Sequence, residues 1–101
     1  MNAVIDNLLY DTVREIATDY ATATTTIIKD TTESVQEHGA VVTRLINAGK
    51  LTDDSQASQD SRNFQDRLWR YTHDEYSTTD RRQLLLLLQA DAEAATIPGE
   101  F

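Results

Sequence analysis

A chain of 101 residues with 40% apolar residues and a net charge of −8 has room for one modest domain. The acidic balance, with a pI near 4.5, argues against direct binding to a nucleic-acid backbone. No apolar run approaches the ~18–20 residues of a membrane span. The absence of cysteine excludes disulfides, thiolate metal sites and a cysteine nucleophile.

The charge is skewed in kind as well as sum. Eleven Asp stand against six Glu, two Lys against seven Arg, and there are fourteen Thr. Such a surface suits a salt-rich cytoplasm, and the same bias also arises from a high-GC genome. Met1-Asn2-Ala3-Val4-Ile5-Asp6 lacks the basic segment of a cleavable export signal. The expected location is therefore the cytoplasm or a larger particle into which the chain is incorporated.

Ile5, Leu9, Val13, Ile16, Tyr20, Ala23 and Ile27 recur at spacings of 4, 4, 3, 4, 3 and 4. That rhythm predicts an amphipathic helix over residues 3–29, with Asp6, Asp11, Arg14, Glu15 and Asp19 on the solvated side. Thr and Ile crowd its end, and β-branching there lowers helix propensity. A strand is disfavoured, since no second strand-like segment exists to pair with it.

Asp30-Thr31-Thr32-Glu33 has capping-box form and would start a second helix to residue 48, with Val35, Val42, Leu45 and Ile46 as its apolar face. One unbroken helix is the alternative, because Ser34, Val41 and Leu45 keep the phase of Ile16 and Ile27. Gly49 then closes the helix, and Leu51-Thr52-Asp53-Asp54 predicts a restart with Thr52 as N-cap and two acids in the first turn. This turn near the chain midpoint is the clearest topological signal.

The next helix, residues 53–75, carries Ala57, Ser61, Phe64, Leu68 and Tyr71 on its core side, and Arg62, Asp66, Arg70 and Asp74 as an i,i+4 charge ladder. Trp69 falls off the core stripe, with Tyr76 two turns later on the same flank. Ser77-Thr78-Thr79-Asp80 predicts a further cap and a last helix over 79–95, containing Leu84-Leu85-Leu86-Leu87-Leu88. The expected fold is all-α: a helical hairpin or a bundle of three to four helices in a single domain.

Motifs for chemistry are sparse. His73-Asp74-Glu75 lacks the i,i+4 spacing of a helical metal site and reads as solvated polar residues at a helix end. No Gly-rich phosphate loop and no Gly-x-Ser-x-Gly occurs. The carboxylates would need a pocket for acid–base work, and a thin helical bundle offers little volume for one. The expectation is a non-enzyme without cofactor, metal, small-molecule substrate or direct nucleic-acid contact.

Tyr71-x-x-x-Glu75 and Tyr76-x-x-x-Asp80 resemble the Tyr-x-x-x-Asp/Glu pattern of the small secreted helical-hairpin proteins named for their Trp-x-Gly turn. The length, the midpoint turn, the acidity and the lack of cysteine are similar too. The defining turn is absent, since the midpoint reads Ala48-Gly49-Lys50 and Trp69 is followed by Arg70. The tyrosine patterns also lie inside the second half instead of after its helix, and the chain is not assigned to that family.

Five successive leucines turn through about 100° each and point all around a helix. A helix apolar all round must be covered all round. The sequence therefore predicts association, with a second copy or another protein, through Leu84, Leu85, Leu87, Leu88, Trp69, Tyr76, Ile97 and Phe101. The expected role is a structural, assembly or adaptor protein that self-associates or docks on a larger body, such as a virion or a secretion component. The alternative is an acidic, antitoxin-like inhibitor that offers carboxylates to a basic nucleic-acid-binding partner.

Overall fold

The computed structural model describes the backbone of residues 3–99 and the side chains of residues 23–99. Three helices, α1 (Ala3–Asn47), α2 (Gln56–His73) and α3 (Thr78–Ala94), pack pairwise, and no strand occurs among the described residues. At about 1.5 Å per residue, α1 is ~67 Å long and α2 and α3 are each under ~30 Å. Of the overall extents of 72 × 26 × 17 Å, the longest is thus set by α1. The two short helices pack on its later half, from Thr31 to Leu45.

The capping signature at Asp30 does not start a helix. Thr31 is wholly buried and donates its hydroxyl to the Leu85 carbonyl at 3.2 Å, while Thr32 donates back to the Ile28 carbonyl at 2.7 Å. With both hydroxyls engaged and Val35 buried one turn on, tertiary packing carries the helix through a local stop signal.

Gly49 ends α1 as predicted, at φ +74°. Its N–H reaches the Ile46 carbonyl at 3.0 Å and that of Lys50 reaches Leu45 at 2.8 Å, the paired bonds of a Schellman cap. The restart differs from expectation. Ser55, not Thr52, is the N-cap of α2, and its hydroxyl accepts from the Ser58 N–H at 3.3 Å. Side chains of α2 explain the shift, because Ser58, Arg62 and Gln59 donate to the carbonyls of Thr52, Asp53 and Asp54. Asp53 and Asp54 therefore lie in the turn before the helix and not in its first turn. Ser77 caps α3 as the sequence indicates, accepting from the Asp80 N–H at 3.1 Å. Arg81 folds back onto the Tyr71 and Asp74 carbonyls, so the frayed end of α2 is tied to the start of α3.

The core has two clusters. Val41, Val42, Leu45, Ala57 and Ile97 form one near the α1–α2 turn, and Val35, Phe64, Leu88 and Ala92 form the other. Ile97, expected on an apolar tail, folds back beneath α1. His38 is buried with its ring edge-on to Phe64 at 5.1 Å. Gly39 lets α1 and α2 approach closely, since a Cβ there would stand 3.1 Å from the Gln65 amide nitrogen and 3.3 Å from the Ser61 hydroxyl.

Candidate interaction surface

The leucine run divides by geometry. Leu85 and Leu88 are completely buried, Leu84 is half-buried, and Leu86 and Leu87 remain 48% and 60% exposed. Leu85, Leu88 and Ile97 are thereby corrected as partner contacts, because the chain's own α1 already covers them. Phe101 lies outside the described residues. Leu86 is the apolar residue that sequence reasoning left out of the surface. In an unbroken run of leucines the pattern gives no phase, and only the seats opposite Thr31 and Val35 decide which two turn inward.

Around Leu86 and Leu87, α3 presents a continuous exposed strip of Thr79, Gln83, Leu86, Leu87, Ala90 and Ala94. At about 100° per residue these six fall within an arc of ~100°. The charged neighbours Asp80, Arg82, Asp91 and Glu93 lie outside that arc. An exposed helix face with no charge is unusual on a chain of which 26% of residues are charged.

Among the described residues, Trp69 is the other exposed large apolar side chain, at 59%. One of its ring faces stacks on His73, with centroids 4.6 Å apart and planes 6° apart. The His73 Nδ1 also lies 2.9 Å from the Trp69 carbonyl oxygen, so the indole is held in place. Tyr76 does not share this flank. It sits beyond the end of α2, half-buried, with its ring edge-on to Tyr71 at 6.0 Å. Trp69 and the α3 strip stand on different helices, so two separate apolar features replace the single girdle that the leucine run suggested.

The charge ladder on α2 is only partly formed: Arg70 pairs with Asp66, whereas Arg62 turns to the Asp53 carbonyl and Asp74 becomes the C-cap. Arg67 instead bridges to Asp91 on α3 at 2.9 Å. Partial burial works against the Arg67 charge, but its bonds to Tyr71 and Asp91 outweigh this and hold its pKa above the ordinary arginine value.

The expectation of negligible pocket volume is also corrected. An open groove of about 750 Å³ runs between α1 and α2 over Val35, Gly39, Ala40, Thr43, Gln65 and Leu68. A smaller cavity of about 200 Å³ lies between α1 and the end of α3, lined by Ser34, Glu37, His38, Glu93 and Ile97 among others. In the larger groove Arg44 is the one charged lining residue, so it offers no paired acid and base. Among the described residues no three His, Cys, Asp or Glu side chains cluster as metal ligands, and no helix is long and apolar enough to cross a membrane.

No known protein family, curated protein or solved structure matches this chain.

Proposed function

We propose that the chain is a non-enzymatic assembly or adaptor protein, docking through the uncharged face of α3 with Leu86 and Leu87 at its centre and Trp69 as a second anchor. The observation that carries this reading is the α3 strip itself. Fully burying one leucine is worth roughly 1.5–3 kcal/mol, against a total stability of ~5–15 kcal/mol for a small domain. Two half-exposed leucines and a tryptophan therefore forgo a large share of what folding alone could gain. Tryptophan held rigid by a stacked neighbour is also the kind of side chain that anchors interfaces.

An acidic decoy for a basic partner has less support. Asp66, Asp91 and several other acids alternate with Arg62, Arg67 and Arg70, and two of them are already paired within the chain. Among the described residues, the acids of α2 and α3 do not form an unbroken row that would mimic a phosphate track.

Salt response and mutation test the reading together. Association led by Leu and Trp persists or strengthens at 1 M salt, where contacts between exposed charges are screened beyond ~3 Å. Light scattering across concentration and pull-downs with tagged chain are each compared between wild type and L86D/L87D. The expected result is at least a tenfold loss of association or docking in the variant, with an unchanged helical circular dichroism spectrum. Capture that fades with salt and ignores L86D/L87D would sink the proposal and favour the carboxylate-led alternative.

A further inference from the structure

We infer that copies of this chain stack head to tail, the uncharged face of α3 in one copy lying in the α1–α2 groove of the next. This rests on the α3 surface proposed above and deepens it by naming its partner.

The two surfaces stand on opposite sides of the chain. Each of the three helices packs on the other two. Leu85, Leu88 and Ala92 turn inward from α3, and at about 100° per residue the exposed strip is centred roughly 180° from them. The groove opens between α1 and α2, on the side of the bundle away from α3. Two copies can therefore join one strip to one groove and no more, which leaves a strip and a groove open at the ends. Such a contact is heterologous and repeats.

Trp69 belongs to the groove side. On α2, Gln65 and Leu68 line the groove, while Arg67 on the other flank reaches Asp91 of α3. Register sets Trp69 about 40° beyond Gln65 on the groove flank, at the rim. The two apolar features that stand apart in one chain thus meet across the contact, leucines from one copy and the tryptophan from the next.

Size and polarity also match. Gly39, Ala40 and Thr43 keep the α1 wall low, and Val35 and Leu68 supply apolar surface. At about 30 Å³ per heavy atom, the liquid share of one water, two leucine side chains fill ~240 Å³. The groove of about 750 Å³ has room for them and for the adjoining Gln83 and Ala90. It runs ~18 Å from Val35 to Asn47, and the strip runs ~22 Å from Thr79 to Ala94. Gln36, Asn47 and Gln65 on one side and Thr79 and Gln83 on the other are uncharged, so the centre of the contact buries no ion.

Charge sets the direction. Arg44, the charged residue of the groove, stands one turn beyond Ala40 toward Gly49. The end of the strip lies between Asp91 and Glu93, one on each flank, whereas Asp80 and Arg82 flank its start and cancel. Asp91 remains exposed although it bridges to Arg67. With Leu87 over Ala40, a parallel α3 brings this acidic end to Arg44, and an antiparallel one brings Gln83 there. Within the chain α3 already runs parallel to α1, since Thr31 meets Leu85 and Leu45 meets Ile97. Successive copies therefore share one orientation and stack without closing. Charges at such a rim steer the encounter more than they hold it, so the stack survives salt.

A specific interface spreads ~800 Å² per partner over about 20–30 residues. About ten residues a side here bury on the order of 650 Å² in total, the range of weak, reversible contacts. Growth is accordingly expected from tens to hundreds of micromolar.

The experiment uses the full chain. By light scattering, wild type is expected to grow past dimer mass with concentration, while L86D/L87D and A40E/T43E each stay at the 11.4 kDa chain mass. Ala40 and Thr43 are exposed, so the groove variant is expected to keep its fold, which circular dichroism checks. Mixed in equal amounts, the two variants retain one intact strip and one intact groove. The mixture is expected to reach twice the chain mass and grow no further. Trp69 is the chain's only tryptophan, so with W69F added to the A40E/T43E copy the groove of the other copy alone reports. Its emission is expected to shift to the blue on mixing. The chain has no cysteine, so single cysteines give the direction: under mild oxidation N47C joins A94C and not T79C.

A mixture that stays monomeric where wild type associates overturns the inference. So does wild type that stops at a dimer, or N47C that joins T79C instead. Association lost in L86D/L87D but kept in A40E/T43E overturns it while the α3 surface stands with its receptor elsewhere. Wild type monomeric at hundreds of micromolar overturns the stacking, and docking on a different protein that L86D/L87D abolishes then keeps the α3 reading.

Discussion

Leu87 and Leu88 are neighbours of identical chemistry with opposite expected consequences, and alanine at each separates core from surface. Leu88 is completely buried against Val35, Phe64 and Ala92, whereas Leu87 is 60% exposed. Leu→Ala at a buried site costs about 2–5 kcal/mol, the transfer term plus the residual cavity. Aromatic and β-branched neighbours in two different helices leave little freedom to collapse, so about 3 kcal/mol is expected for L88A. For a domain of this size, each kcal/mol shifts Tm by about 4–8 °C, so the loss is roughly 12–24 °C. L87A is expected within about 0.5 kcal/mol of wild type. Thermal and urea unfolding followed by circular dichroism, at one fixed protein concentration because association would stabilise the fold, measures both. Equal losses for the two variants, or a loss below about 1 kcal/mol for L88A, would refute the assignment of inward and outward leucines.

Three further substitutions probe the local devices. Thr31→Val keeps the shape but removes the buried bond to the Leu85 carbonyl, and urea midpoints are expected to show a loss of about 1 kcal/mol. Gly49→Ala meets no neighbouring atom within 4 Å, so its cost is the positive φ alone, about 1–2 kcal/mol by the same assay. Ser77→Ala removes the acceptor for the Asp80 N–H at the start of α3 and is expected to cost about 1 kcal/mol; faster amide exchange over the first turn of α3 is the accompanying sign.

Much of the helical content was legible because its signals are local. The spacing of Ala57, Ser61 and Phe64 marked the inward face of α2, and all three are buried. Gly49 and Ser77 announced their caps through backbone freedom and a hydroxyl acceptor, properties that no distant neighbour needs to supply. The Thr52 cap failed because Thr52 and Ser55 are equivalent candidates until Ser58, Gln59 and Arg62 claim the intervening carbonyls.

The candidate surface was less legible. Trp69 stood out as off-stripe, but pairing it with Tyr76 assumed that α2 continued past His73. The loop at Asp74 turned Tyr76 onto Tyr71 instead. Ile97 looked like a loose tail residue because nothing nearby in sequence shows the gap that it fills between Val41, Val42 and Leu45.

The amino-acid order by itself determined that this chain is helical, where it turns at its middle, and which stripe of α1 is apolar. These depend on periods of a few residues and on single capping groups. Tertiary structure alone decided that α1 runs unbroken through Asp30, that Leu85 and Leu88 turn inward, and that Leu86 and Leu87 are left to solvent. Each of those outcomes is a choice among locally equivalent alternatives, and contacts made across 50 or more residues, such as Thr31 with Leu85, break the tie.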